Sequence, residues 1–305
     1  MIKAASAQTL SVIEPEVGRI GDGEDSIGET PVWRADERAL YWIDCDGPPR
    51  IRRWQYDGGE ITEWPMPERI GGFVFRQDGG ALVTLSSGVF DFDFSNGELA
   101  PRAVSPLAGG ISLHECACDP SGRFWVGSID HRVGPSNLHP GGAKLLRLDG
   151  ERLVPVIEGI SCANGLAFSP QGDVLYISDS TTLRCDRYPL DLATGELGAG
   201  ETFFQLGEGD GFVDGAAVDA EGCYWASLVY AGKLRRYRPD GTPDIEIRVP
   251  FANPTKLAFG GPAMTSMYVT TIKHGLDGKQ ASSLDGGLFV IEGDIAGLAD
   301  PVFRG

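Results

Sequence analysis

Four polar side chains stand at matching places in a chain otherwise built of short apolar runs. Glu29, His114, Asn164 and Asp214 each lie four residues before a residue that anchors a turn: Trp33, Cys118, Phe168 and Val218. Singly, each has an ordinary reading. An Asn or Asp ahead of a strand is a turn former, and a lone Glu is a solvated surface group. A shared register points elsewhere, because equivalent positions of repeated units converge on one space. Two carboxylates and an amide that converge repel one another and are poorly solvated unless a cation joins them. Hard divalent ions accept carboxylate and amide oxygens and keep room for an exchangeable ligand. An imidazole from His114 moves the preference toward a transition metal. The expected cofactor is one divalent ion, with Ca, Zn, Mn, Mg and Fe all open.

The elements that must position these groups are short strands. Runs such as "ALYWID", "ALVTL", "RFWVGSI", "VLYISDS", "CYWASL" and "MYVTTI" are rich in aromatic and β-branched residues, and 43 Gly and 20 Pro punctuate them. Each run follows a turn, and each turn follows an apolar anchor. The anchors Trp33, Phe75, Cys118, Phe168, Val218 and Phe259 are 42, 43, 50, 50 and 41 residues apart. That period, at four strands per unit, predicts a six-bladed all-β propeller with four-stranded blades. "KLLRLDG" and "KLRRYRPDG" read as third strands ending in Asp-Gly turns. No linker divides residues 1–305, so a single propeller domain is expected. "AQTLSVI" near the N-terminus is expected to pair with "GGLFVIEG" (286–293) and close the ring. Counting back four from the two remaining anchors gives Gly71 and Thr255. The innermost strands of a propeller line its central channel, so all six positions form one ring around it.

Composition narrows the partners. With 26 Lys+Arg against 43 Asp+Glu, the net charge is -17. Such a chain repels phosphate backbones and anionic surfaces, so neither nucleic acid nor membrane is an expected partner. No window reaches the ~18 apolar residues of a membrane span, and no signal peptide is expected. The six cysteines are scattered without a CxxC pair, which reads as reduced thiols in the cytoplasm. Cys116 and Cys118 read as small buried apolar residues rather than ligands.

"GETPVW" (28–33), "NGLAFSPQG" (164–172), "DGAAVDAEG" (214–222) and "FGGPAMTSMYVTTI" (259–272) together resemble the motifs of the senescence-marker-protein/gluconolactonase/luciferin-regenerating-enzyme family, the regucalcin-like propellers. The resemblance covers essentially the whole chain. It implies a six-bladed propeller, a divalent metal on Glu29, Asn164 and Asp214, and hydrolysis of sugar lactones with Asp214 also as general base. One stretch departs from the pattern. Where the family has R-x-N-D-G, this chain has "SLHECACDPSGR" (112–123), placing Ser112, His114 and Glu115 where Arg, Asn and Asp are usual. Losing the Arg removes a fork of donors, so a different lactone is expected. Ser112, His114 and Glu115 are read as substrate-binding, with His114 open to metal ligation or acid–base work. "DHRVGPSNLHPGGA" (130–143) reads as a lid or a surface loop and holds His131, Arg132 and His139. His131, together with Lys273 (followed by His274) after the sixth signature strand, completes the substrate-binding candidates.

The leading expectation is therefore a metal-dependent lactonase that yields a hydroxy acid. A serine hydrolase is not expected, because no G-x-S-x-G elbow is present. The rivals are a phosphotriesterase-like metal hydrolase on the same scaffold and a non-catalytic propeller that binds calcium or a partner. The oligomeric state is not legible.

Overall fold

The fold follows from the alternation of turn signals with β-branched and aromatic runs. The structure, a computed structural model, describes residues 10–133 and 141–305. It holds six antiparallel blades arranged in chain order around a channel. Their innermost strands are Gly28–Arg34, Ile70–Phe75, Ile111–Cys118, Ala163–Phe168, Phe212–Val218 and Pro254–Gly260. Among the described residues, the helical structure is one 3-10 turn, Ser180–Thr182.

The apolar core sits between blades rather than within them. Val32, Tyr41 and Ile43 of blade 1 pack on Phe73, Phe75 and Val83 of blade 2, and similar layers recur around the ring. Inner strands therefore read as apolar on both faces, while an outermost strand such as Glu98–Val104 is mostly exposed. Cys116 and Cys118 belong to one of these layers, as their spacing suggested.

Two turns are locked in the same way, and both are visible in the sequence as "DPSGRFW" and "DAEGCYW". Asp119 accepts the backbone N–H groups of Ser121 and Arg123 and the indole N–H of Trp125 at 3.1 Å. Asp219 accepts the N–H groups of Glu221 and Cys223 at 3.0 Å and the indole of Trp225 at 2.9 Å. Both aspartates and both tryptophans are fully buried. A buried indole N–H needs an acceptor, and the turn aspartate supplies one while closing its own hairpin.

The ring closes differently from the sequence expectation. The strand that pairs with Leu288–Ile291 of blade 6 is Gly18–Ile20, not the earlier "AQTLSVI" stretch. Of that stretch, Ser11–Ile13 lies parallel to the outer strand of blade 5, pairing with Ile245–Ile247. Both segments suit edge pairing; only Gly18–Ile20 places a buried residue, Ile20, against Trp33, Leu40 and Leu288.

Asp219 also receives Arg236 Nε at 2.7 Å, so its loss strands an indole, two amides and one buried guanidinium N–H together, while Asp244 and Glu221 keep the other donors of Arg236. Asp219→Ala is expected to cost about 3–5 kcal/mol of unfolding free energy in a urea titration, the range for breaking a buried ion pair from one side. A loss below about 1 kcal/mol would show that the turn does not depend on it.

Candidate functional site

The six ring positions carry more than side chains; they carry a shared backbone irregularity. In every blade the pairing of the innermost strand with its neighbour slips at this height. The slips fall between Glu29 and Val32, Ile70 and Gly72, Leu113 and Cys116, Asn164 and Ala167, Val213 and Ala216, and Pro254 and Leu257. A bulge leaves a residue unpaired and re-aims its side chain. At Thr255 and Lys256 the effect is plain. Thr255 Oγ1 donates to the Gly28 carbonyl at 2.6 Å and stitches blade 6 to blade 1. The next side chain, Lys256, crosses the ring to Glu115 of blade 3, Nζ to Oε1 2.6 Å.

Two glycines make room for this. A Cβ at Gly71 would lie 2.7 Å from the His114 carbonyl oxygen, so blade 3 closes on blade 2 only because no side chain intervenes. A Cβ at Gly215 would lie 2.5 Å from the Lys256 stem. The Lys256 ammonium is thereby led to Glu115, whose other oxygen accepts the Leu166 N–H at 2.9 Å.

Glu29, Asn164 and Asp214 are each buried, and the charges of Lys256 and Glu115 act on both carboxylates. Glu29 Oε2 accepts the N–H of Thr30 at 2.9 Å, and Glu29 and Asp214 are close enough to share a proton. Burial, outweighing the pull of Lys256 and joined by the charge of Glu115, pushes Glu29 up to about 7. Burial with Glu29 and Glu115 holds Asp214 well above the usual carboxylate range. Asn164 spends its amide N–H on Ser180 Oγ at 3.0 Å, and Ser180 in turn donates to the Val213 carbonyl at 2.7 Å. Its carbonyl oxygen is thus turned away from Ser180. His114 is buried with Nδ1 unpartnered among the described residues, and burial, aided by the charge of Arg69, pushes its imidazole down to about 3. It is a neutral group near pH 7.

This donor set fits a divalent cation. Two carboxylates forced to share a proton and an amide oxygen not spent on Ser180 are what such an ion would bind. Among the described residues no three His, Cys, Asp or Glu side chains cluster as metal ligands; the third member of this set is the Asn164 amide.

The remaining candidates divide. Ser112 Oγ and His131 Nε2 are hydrogen-bonded at 2.7 Å, with His131 near enough to His114 for its charge to act there. Glu115 lies deeper than a substrate contact needs and is spent on Lys256 and Leu166. Lys273 is held by Glu24 at 2.6 Å rather than by any of the buried carboxylates, and His274 is exposed. His139, with residues 134–140 of the 130–143 loop, falls outside the described residues. Lys256 was not among the sequence candidates. Its signal was a lone Lys inside the apolar "TKLAF" strand, one residue after a ring position. A cavity of about 520 Å³ opens at the other end of the channel, lined by residues such as Val32, Ala217 and Phe259 and covered by Leu298–Val302, and it does not include the carboxylate pair.

Comparison with known proteins follows the same lines. Residues 27–273 match the SMP-30/Gluconolactonase/LRE-like region. The chain is 35% identical to a 6-deoxy-6-sulfogluconolactonase of Pseudomonas putida, over 92% of this chain and 95% of that one. It is 32% identical to an L-arabinolactonase of Azospirillum brasilense, over 94% and 95%. Its fold superposes with a TM-score of 0.90 on a calcium-binding protein, regucalcin, of Agrobacterium tumefaciens, at 24% identity over 97% and 100% of the two chains.

An acid whose folded pKa is raised binds its proton more tightly in the folded state, so the stability it lends at low pH is lost as pH rises through the folded value. Chelator-treated protein should therefore lose thermal stability between about pH 5 and 8 more steeply than Asp214→Asn does. A divalent cation should restore the wild type at the upper end and leave the variant unmoved. Equal slopes would show that the two carboxylates do not burden each other.

Proposed function

The chain belongs to the SMP-30/Gluconolactonase/LRE-like family, and from that premise we propose that it is a metal-assisted lactonase that opens a sugar lactone to its hydroxy acid. The observation that carries this reading is the buried Glu29–Asp214 pair, two carboxylates close enough to share a proton. The names of the two relatives quoted above, a sulfosugar lactonase and a pentose lactonase, support the substrate class.

Glu29, Asn164 and Asp214 would hold a divalent cation, which would supply Lewis-acid polarisation of the ester carbonyl. The protein's own groups do the rest. Asp214, as carboxylate, accepts a proton from the attacking water as the new C–O bond forms. It returns that proton to the ring oxygen as the acyl C–O bond breaks, so water and lactone balance the hydroxy acid. Neutral His114 offers its idle nitrogen to a substrate hydroxyl, and the Ser112–His131 pair offers a second polar edge. Lys256 keeps a positive charge beneath the site, raised above its ordinary value by Glu115 and Glu29 despite burial.

Hydrolysis is measured by the acid released from a panel of sugar and simple γ- and δ-lactones, on chelator-stripped protein with each divalent ion added back. Turnover should disappear on stripping and return with one or more ions. Asp214→Ala should lower kcat/KM about 10³-fold or more while circular dichroism stays unchanged. Full activity in that variant would remove Asp214 from the reaction.

A further inference from the structure

Several lysines and arginines stand near the mouth of the channel, and among the described residues all but one of them are spent. Lys256 is paired with Glu115 at 2.6 Å, and Lys273 with Glu24 at 2.6 Å. Arg132 grips Asp130 with two donors, at 2.8 and 2.6 Å. Arg69 is different. Among the described residues its ion pair is a single long contact, Nε to Asp46 Oδ2 at 3.4 Å, and that aspartate is 45% exposed. Its Nη1 is buried and meets no acceptor among the described residues, although the side chain as a whole is only 18% exposed. A guanidinium is always charged, and burying it with an unused donor carries a cost that a native structure meets only when something else completes it.

Its place in the fold says what that is. Arg69 directly precedes the inner strand of blade 2 and stands two residues before Gly71, the ring position packed against His114. Ser112 stands at the corresponding place in blade 3, two residues before His114. All six ring positions lie toward the start of their inner strands, so Arg69, just ahead of that start in blade 2, stands nearer the mouth than the carboxylate ring. The charge of Arg69 acts on Glu29, His114 and His131, which places it over the same space. Two strand residues amount to roughly 7 Å, several bonds away from an ester carbonyl seated at the ring.

We propose that Arg69 is a substrate-binding residue that takes an oxyanion, a carboxylate, sulfonate or phosphate ester, carried on the lactone several bonds from the ring carbonyl. A planar fork of N–H donors matches two oxygens of such a group, and neither a hydroxyl nor a water would neutralise the buried charge. The substrate class is thus an acidic sugar lactone rather than a neutral one. This rests on the lactonase reading above, but its test need not use turnover.

Binding of three open-chain sugar acids is measured by calorimetry in the presence of magnesium: gluconate, 6-phosphogluconate and glucarate. At least one of the two that carry a second oxyanion should bind roughly tenfold tighter than gluconate or more, the range for one charge-assisted hydrogen bond. Which one does so tells a tetrahedral oxyanion from a carboxylate. Arg69→Met should abolish that preference, and Arg69→Lys, which keeps the charge and loses the fork, should keep only part of it. Thermal unfolding checks that both variants are folded. Equal affinity for all three acids, or a preference that survives in folded Arg69→Met, overturns the proposal. Turnover is then compared on gluconolactone and 6-phosphogluconolactone. A binding preference without turnover of either lactone would overturn the lactonase reading and keep the oxyanion site. Turnover of both lactones without any preference would do the reverse.

Discussion

Two carboxylates buried against each other, Glu29 and Asp214, set the terms for everything around them. Like charges at hydrogen-bonding distance in a dry place cannot both ionise unaided. The protein answers with a fixed counter-charge. Lys256 supplies the charge, but an unpaired buried ammonium would be as costly as the acids it serves. Glu115 pairs with it, and the pair is completed by the Leu166 N–H. The ion pair thus spans opposite blades and separates the carboxylate site from the apolar cavity at the other end of the channel. Gly215 is part of the same arrangement, since any side chain there would displace the Lys256 stem.

The second condition is that the same bulge recurs in all six inner strands. A regular strand alternates its side chains, so only every second residue could face the channel. Breaking the alternation at one height lets adjacent residues serve different ends. In blade 6, Thr255 ties the ring shut and Lys256 spans it. In blade 3, His114 stands at the ring position while Glu115 anchors the span. Bulges are tolerated here because the neighbouring blades, through bonds such as Tyr224 Oη to the Gly165 carbonyl at 2.8 Å, satisfy backbone groups that the broken ladder releases.

Much of this could be read from residues alone, and the limits are physical. The repeat of anchors foretold the blades because each hairpin must present the same apolar pattern to the same kind of neighbour. A propeller maps sequence period onto angle, and Glu29, Asn164 and Asp214 stand at or beside the register slip of their own inner strands. What escaped were contacts between blades far apart in the chain. Lys256 meets Glu115 across 141 residues, a pairing no local pattern encodes. Glu115 read as a substrate contact because its neighbours in sequence are site residues; the bulge, invisible in the sequence, is what turns it to Lys256. The closing strand was misplaced for a related reason. Both N-terminal segments are short and β-prone, and only the packing of Ile20 against blades 1 and 6 distinguishes them.

The ring geometry also bears on how specificity is carried. Six equivalent positions face one small volume, so a charge can be delivered to that volume from any blade without altering the fold. Blade 3 offers a serine and a histidine at the mouth, hydrogen-bonded to each other, and blade 2 offers the guanidinium of Arg69 beside them. Ligand preference in such a site is a property of the whole ring at a given height, not of one motif. The cation level, where two carboxylates force a particular partner, admits little variation. The level above it is under no such constraint, because its groups face a substituent rather than the reacting bond. In the proposed reaction chemistry and recognition are separated along the channel axis: the lower ring would determine which bond is polarised, and the upper ring which molecule is held there long enough to react.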